Sequence, residues 1–261
     1  MASRLSSNWV SLAPLGLALA VLALGLVAFG ARVARRGMPR TERVVRQGGS
    51  VFFGQGVMEF LLFLAQPVVD ALVRLRISPD ALSWSSLWIQ AVAALFIARG
   101  AFGVGAWFLI IGAGCDSLDG AVARARGVSS DAGEVLDAAV DRWAEMGLFF
   151  AYGWYYRDFF LGFALCAVSC MGAVMVSYAR AKGEALGVDA KMGLMQRHER
   201  AACLAVTTLL SPLAATFFEP GSVKPRHYLV LAALGLIALF ATLTSIQRTA
   251  FTRAELRKQG R

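Results

Sequence analysis

Long apolar runs separated by clusters of arginine and lysine dominate this chain, and they fix its solvent before they fix its fold. A helix needs about 20 predominantly apolar residues to cross a hydrocarbon core of about 30 Å. Runs of that length recur at about 79–98, 101–124, 133–156, 159–182, 199–217 and 228–248, with another at about 9–30. With 57% hydrophobic and only 16% charged residues, the composition falls outside that of soluble domains. Backbone polar groups in lipid must be satisfied within the segment, which favours helices. The predicted fold class is an all-α integral membrane protein. It comprises a six-helix transmembrane bundle with an amphipathic juxtamembrane helix and an extra N-terminal transmembrane anchor.

The run at 9–30 is followed by Arg32, Arg35, Arg36, Arg40, Arg43 and Arg46. A secretory signal carries its positive charge in front of a shorter apolar core, so an uncleaved anchor is expected. Segment 57–76 is apolar on one side but carries Glu59, Gln66, Pro67, Asp70, Arg74 and Arg76, the pattern of a helix lying at the membrane surface. Ser78-Pro79-Asp80 then offers a helix start: a capping residue, a proline in the first turn and an acid near the N-terminal dipole. Residues 1–56 are read as anchor and basic linker, 57–250 as one membrane domain and 251–261 as a basic tail.

The loops indicate direction. If the span at 79–98 starts inside, the basic linker, Arg124, Arg126, Arg180, Lys182, Lys191, Arg197, Arg200 and the tail from Arg248 to Arg261 all face the cytoplasm. The other side holds only Arg4, Arg99, Arg157, Lys224 and Arg226, which agrees with the positive-inside rule. The formal charge of +9 thus reads as membrane-flanking charge rather than a nucleic-acid surface. Cys115, Cys166, Cys170 and Cys203 lack metal-site or disulfide spacing and are read as packing residues. His198 and His227 have no spaced ligand partner and are expected at the surface or an interface.

Inside these runs sit carboxylates that lipid would not tolerate uncompensated. Asp116 and Asp119 are i and i+3, near the cytoplasmic end of one span, and Asp137 and Asp141 are i and i+4 on the next. Each pair shares a helix face, and a short loop at about 125–132 joins the two antiparallel helices. Salt bridges with Arg124, Arg126 or Arg142, or a proton path in a transporter, would account for such acids. So would two divalent cations about 4 Å apart, acting on a pyrophosphate. Oxygen ligands favour Mg²⁺ or Mn²⁺ over zinc.

The spacing favours the last reading. Residues 116–141 satisfy D-x2-D-G-x2-A-R-x8-G-x3-D-x3-D at Asp116, Asp119, Gly120, Ala123, Arg124, Gly133, Asp137 and Asp141. This stretch resembles the CDP-alcohol phosphotransferase family, over about residues 57–250. The resemblance implies that Asp116, Asp119, Asp137 and Asp141 hold two Mg²⁺ or Mn²⁺ ions. It makes Asp141 also the catalytic base that deprotonates the attacking hydroxyl. The small residues Gly120, Ala123 and Gly133 would admit the CDP-lipid to the backbone, and Arg124 would meet a phosphate. Helix packing and positive-inside charge would explain the same four residues structurally. The resemblance further implies a homodimer in the cytoplasmic membrane, with the active site on the cytoplasmic side.

Residues 177–184 read S-Y-A-R-A-K-G-E, and 197–200 read R-H-E-R. That pattern resembles bacterial phosphatidylinositol phosphate synthases and their archaeal relatives. It implies an anionic acceptor, inositol 1-phosphate, met by Arg180, Lys182, Arg197 and Arg200. The expected reaction moves a phosphatidyl group from CDP-diacylglycerol to that polar alcohol and releases CMP. Phosphatidylglycerophosphate or phosphatidylserine synthesis remains open, as does transfer from CDP-choline or CDP-ethanolamine to diacylglycerol. A cation or proton transporter is the rival from another class. The relatives often carry Pro-Asn and a Thr where this chain has Pro79-Asp80 and Ser83. Glu134, Asp137, Asp141 and Glu145 fall on one helical face, so Glu145 is expected either to pair with a cation for packing or to tune Asp141.

Overall fold

A computed structural model describes residues 2–39, 55–190 and 192–260. Arg40, Arg43, Arg46, Lys191 and Arg261, all assigned to basic loops above, lie outside the described residues. The described secondary structure is helical throughout. In chain order it comprises α1 (Ala2–Arg36), α2 (Gln55–Arg74), α3 (Pro79–Ala98), α4 (Phe102–Ala125), α5 (Asp131–Tyr155), α6 (Phe160–Ala185), α7 (Arg197–Phe218) and α8 (Tyr228–Lys258).

Six of these are long and apolar enough to span a bilayer: residues 56–74 of α2, and α3, α4, α6, α7 and α8. This set differs in two places from the six spans expected above. α2 qualifies by length and composition because its polar residues are few, and Gln66 donates to Asp70 at 2.9 Å within the helix. α5 does not qualify, because its first four turns carry Asp131, Glu134, Asp137, Asp141, Arg142 and Glu145. α8 passes unbroken through residue 250.

The chain divides into two compact units, and α3, α4 and α5 each run through both. The first unit holds residues 1–84 and 114–137. Its core is Val69, Leu82 and Val122, against which Leu72, Val73, Ile77, Leu118 and Ala121 pack. Phe29 of α1 meets Phe60 and Phe63 of α2 with ring centroids 5.7 and 5.5 Å apart.

Two connections place the acidic helices. α2 ends on Arg76 in the left-handed region at φ 57, with Ile77 N–H donating to Leu72 O at 3.1 Å, a Schellman closure. Ser78 Oγ then accepts from Ala81 N–H at 3.2 Å, so it caps α3 as the sequence indicates. α4 ends on Gly127 at φ 66, where a side chain would be strained. Ser130 caps α5 by accepting from Gly133 N–H at 3.2 Å. Arg126 Nη1 donates to Ile77 O at 2.9 Å, tying the two turns together.

The second unit holds residues 85–113 and 138–261. Its core includes Ile97, Phe102, Phe149, Tyr152, Leu234 and Ile237. α6 and α8 make its most extensive helix contact, and α7 also packs on α8. The first of these is close because Gly172 lies against Ala241 and Thr242, where an added Cβ would come within 3.1 Å of both. Small residues permit such approach in membranes. Ser169 Oγ donates to Leu234 O at 2.9 Å across the same seam.

Before α8 the chain is held by tyrosines. Tyr155 Oη donates to Pro225 O at 2.5 Å and Tyr156 Oη to Arg226 O at 2.9 Å. His227, expected at the surface or an interface, is buried. Its ring stacks on Phe102 at 4.0 Å, and its Nδ1 is 2.8 Å from Ser211 Oγ. These partners come from two other helices, so no local pattern signals them. His198 is exposed.

Candidate active site

The first unit assembles three of the motif aspartates. Asp116 and Asp119 stand one turn apart on the second half of α4, and Asp137 lies two turns into α5. The Asp116 and Asp137 carboxylates bring oxygens within 4.8 Å of each other. Carboxylates so close repel unless a cation or proton lies between them. Asp119 is only 5% exposed. It accepts from Ser83 Oγ of α3 at 2.5 Å and from the N–H of Gly120. Ser83, at the position where the relatives often carry Thr, thus supplies a hydroxyl that orients this carboxylate.

The small motif residues border the same acids. A Cβ on Gly120 would lie 3.1 Å from Arg124 Nη1, so the missing side chain gives the guanidinium room over the helix backbone. Ala123 is half-buried and Arg124 exposed. Gly133, half-buried in the first turn of α5, donates to the Ser130 cap.

In the second unit, Asp141 follows Asp137 one turn further along α5 and is 7% exposed. It forms an ion pair with Arg197 at the start of α7. One more turn along, Glu145 is gripped by Arg200. Nε donates to Oε1 at 2.7 Å and Nη2 to Oε2 at 2.9 Å, while Nη1 donates to Met195 O at 2.6 Å. Arg200 is fully buried, and Arg142 lies 3.7 Å from Glu145. Arg197 and Arg200 both stand in the first turns of α7, whose N-terminus is fixed by a reciprocal capping box of Gln196 and Glu199.

The remaining expected acceptor residues lie on α6. Arg180 Nε pairs with Glu184 at 2.8 Å, and Lys182 lines a groove between α6 and α8. Sequence reasoning placed Arg248 among the basic residues of the tail. It is instead 3% exposed, donating from Nε to Met192 O at 2.8 Å and from Nη1 to Val176 O at 3.1 Å. Thr244 exchanges hydrogen bonds with Leu194 at 2.7 and 3.0 Å. Gly193, at φ 110, lies against the Thr244 side chain where no Cβ would fit. The segment before α7 is therefore pinned to α8 by side chains far away in sequence.

The family model for CDP-alcohol phosphatidyltransferase matches residues 76–247, more than half of the chain. The chain belongs to this family. It is 29% identical over 194 residues to a phosphatidylinositol phosphate synthase of Cutibacterium acnes, covering 72% of this chain and 91% of the relative. It is 30% identical over 233 residues to the Streptomyces avermitilis phosphatidylinositol phosphate synthase, covering 87% and 91%. The Mycobacterium tuberculosis phosphatidylinositol phosphate synthase has been solved in complex with manganese and citrate. That structure matches with a TM-score of 0.62 and 25% identity, covering 71% of this chain and 87% of that one. The same enzyme with CDP-DAG bound matches at 0.61 and 26% identity, covering 71% and 92%. As a member of the family the chain is a membrane-embedded transferase, and Asp116 and Asp137 belong to an acidic group of the kind that could hold a metal ion.

Proposed function

We propose that this chain transfers the phosphatidyl group of CDP-diacylglycerol to inositol 1-phosphate, releasing CMP at the cytoplasmic face of a membrane. The observation that carries the reading is the complete motif, with Asp116 and Asp137 brought within 4.8 Å from two helices. The relatives named above support the donor and the acceptor, and the gathering of basic residues on one side of the spans supports the cytoplasmic face.

The site fits two Mg²⁺ or Mn²⁺ ions. Its donors are carboxylate oxygens, neither α4 nor α5 contains a histidine, and Asp116 and Asp137 lie close enough to share a cation. Bound there, the ions would neutralise charge on the donor's pyrophosphate. In this scheme Asp116, Asp119 and Asp137 would hold metal, with Ser83 fixing the rotamer of Asp119. Asp141 would be a further metal ligand, and it takes the proton from the acceptor hydroxyl. The hydroxyl oxygen forms the new bond to the phosphatidyl phosphorus as the bond to the CMP oxygen breaks. Gly120, Ala123 and Gly133 leave room for the CDP moiety, and Arg124 meets one of its phosphates.

Arg197 and Arg180 are the cations proposed to meet the acceptor's phosphate. Each is half-buried, and an exposed carboxylate such as Glu184 is easily exchanged for a phosphate. Arg200 serves the acceptor indirectly, since its donors are committed to Glu145 and Met195, and Lys182 is turned away from Arg180 toward the groove between α6 and α8.

The deciding experiment incubates purified protein with CDP-diacylglycerol, Mn²⁺ or Mg²⁺, and inositol 1-phosphate, glycerol 3-phosphate or serine in parallel. A second series supplies CDP-choline or CDP-ethanolamine with diacylglycerol. Metal-dependent CMP release with inositol 1-phosphate is expected to exceed every other combination. Equal or faster release with serine would remove the anionic-acceptor reading, and no CMP release from any pair would favour a transporter. Asp116→Asn and Asp137→Asn should each raise the Mg²⁺ concentration for half-maximal CMP release by about tenfold or more, as expected from losing a charged ligand. An unchanged metal requirement would take that residue out of the metal site.

A further inference from the structure

On the second unit, α6 and α8 leave between them a groove of about 420 Å³, lined by Met175, Tyr178, Lys182, Thr252, Arg253 and Arg257 among others. It does not belong to the side of α6 that carries Arg180. At 100° per residue, Lys182 projects roughly 160° away from Arg180 around the helix. The groove combines three features. Lys182, Arg253 and Arg257 are exposed and make no side-chain hydrogen bond or ion pair among the described residues. The acids close in sequence are engaged elsewhere, Glu184 with Arg180 at 2.8 Å and Glu255 with Lys258 at 3.2 Å. Met175, exposed, and Leu256, half-buried, give the groove an apolar wall beside those cations.

The position along the helices names the ligand. α6 and α8 contain 26 and 31 residues, more than the roughly 20 that cross a hydrocarbon core, and the three cations stand where their apolar stretches end. Toward the middle of the helices the groove continues into Met175, and then into exposed Met171 and Ile246. Cations above an apolar, lipid-facing strip match a phospholipid with its headgroup at the interface. We propose that this groove binds an anionic phospholipid of the surrounding bilayer, at a site separate from the catalytic one. The lipid phosphate accepts hydrogen bonds from Lys182, Arg253 and Arg257, and an acyl chain lies along Met175 and Met171. This rests on the membrane placement of the chain and not on the choice of transferase substrate.

The test titrates full-length protein in detergent with phosphatidylglycerol and, separately, phosphatidylcholine of the same acyl chains, and counts retained lipids by native mass spectrometry. The wild type should retain phosphatidylglycerol at about thirtyfold lower concentration than phosphatidylcholine, the scale expected of two interfacial cations at about 1 kcal/mol each. Arg253→Gln with Arg257→Gln should abolish that preference, whereas Arg253→Lys with Arg257→Lys should keep most of it and thereby exclude misfolding as the cause. The proposal is overturned by an unchanged preference in the glutamine variant or by displacement of the lipid with inositol 1-phosphate. A protein dimer whose formation removes the lipid from this face would overturn it too. CMP release in the same preparations reports the transferase reading separately: its absence beside intact lipid selectivity would sink that reading and leave the groove standing.

Discussion

Asp141→Asn should lower turnover by about 10²- to 10⁴-fold, the usual contribution of a positioned general base, while the affinity for CDP-diacylglycerol changes little. Asparagine keeps the size of the side chain and one oxygen, so on the proposed scheme a metal on Asp116, Asp119 and Asp137 should stay in place. It has no lone pair basic enough to accept the acceptor's proton. The ion pair between Asp141 and Arg197 gives a second expected effect. With the carboxylate neutralised, Arg197 loses a charged partner, so the KM for the acceptor should move while KM for the donor does not. Single-turnover CMP release, with donor binding measured calorimetrically, separates the two. Turnover near that of the wild type would remove Asp141 from the chemistry, and weakened donor binding would mark it chiefly as a metal ligand.

Arg197→Ala gives the complementary result, since it removes a cation and leaves the base. A charge-assisted hydrogen bond contributes about 1.5–3 kcal/mol, so the KM for an anionic alcohol should rise by roughly ten- to hundredfold. The KM for CDP-diacylglycerol should stay within about twofold, and equal effects on both substrates would show that Arg197 serves the donor or the fold.

The parts of the site legible in the sequence are those fixed by local geometry. Helical periodicity puts Asp116 beside Asp119 and Asp137 beside Asp141 whatever surrounds them, and the short loop at about 125–132 lets Asp116 and Asp137 come together. Ser78 announced its cap because capping depends only on the next three residues. The partners of Arg200, Arg248 and His227 were not legible for the opposite reason. Arg200 meets Glu145 across 55 positions, Arg248 meets Met192 and Val176 across 56 and 72, and His227 meets Ser211 across 16. In a basic chain each arginine at a helix end satisfies the positive-inside rule equally well. Nothing local separates one turned into the core from one turned toward water. α5 is where the expected set of spans failed: Asp131, Glu134, Asp137, Asp141, Arg142 and Glu145 leave it outside the six helices that are apolar enough to span.

Arg200→Ala is expected to have the largest effect on stability of any single substitution in the second unit. The guanidinium is fully buried, with its donors committed to both Glu145 oxygens and the Met195 carbonyl, so truncation leaves a carboxylate and a carbonyl without partners. Removing one member of a buried ion pair costs about 3–5 kcal/mol, which for a chain of this size corresponds to a fall in Tm of about 10 °C. Glu145→Gln should destabilise similarly, because it strands the arginine's charge. If the pair only holds α7 against α5, replacing both partners by methionine should recover most of the loss, since the desolvation cost of two ions disappears with their attraction. The double-mutant cycle of Tm values then shows strong coupling between the two positions. Glu145 also stands one turn beyond Asp141, so its alternative role is to shape the ionisation of the base. The same Glu145→Gln protein decides between them. A shifted pH profile of CMP release with an unchanged Tm would make Glu145 a tuning residue and defeat the structural assignment. A lowered Tm with an unchanged profile is the outcome expected from the geometry of the Arg200 clamp.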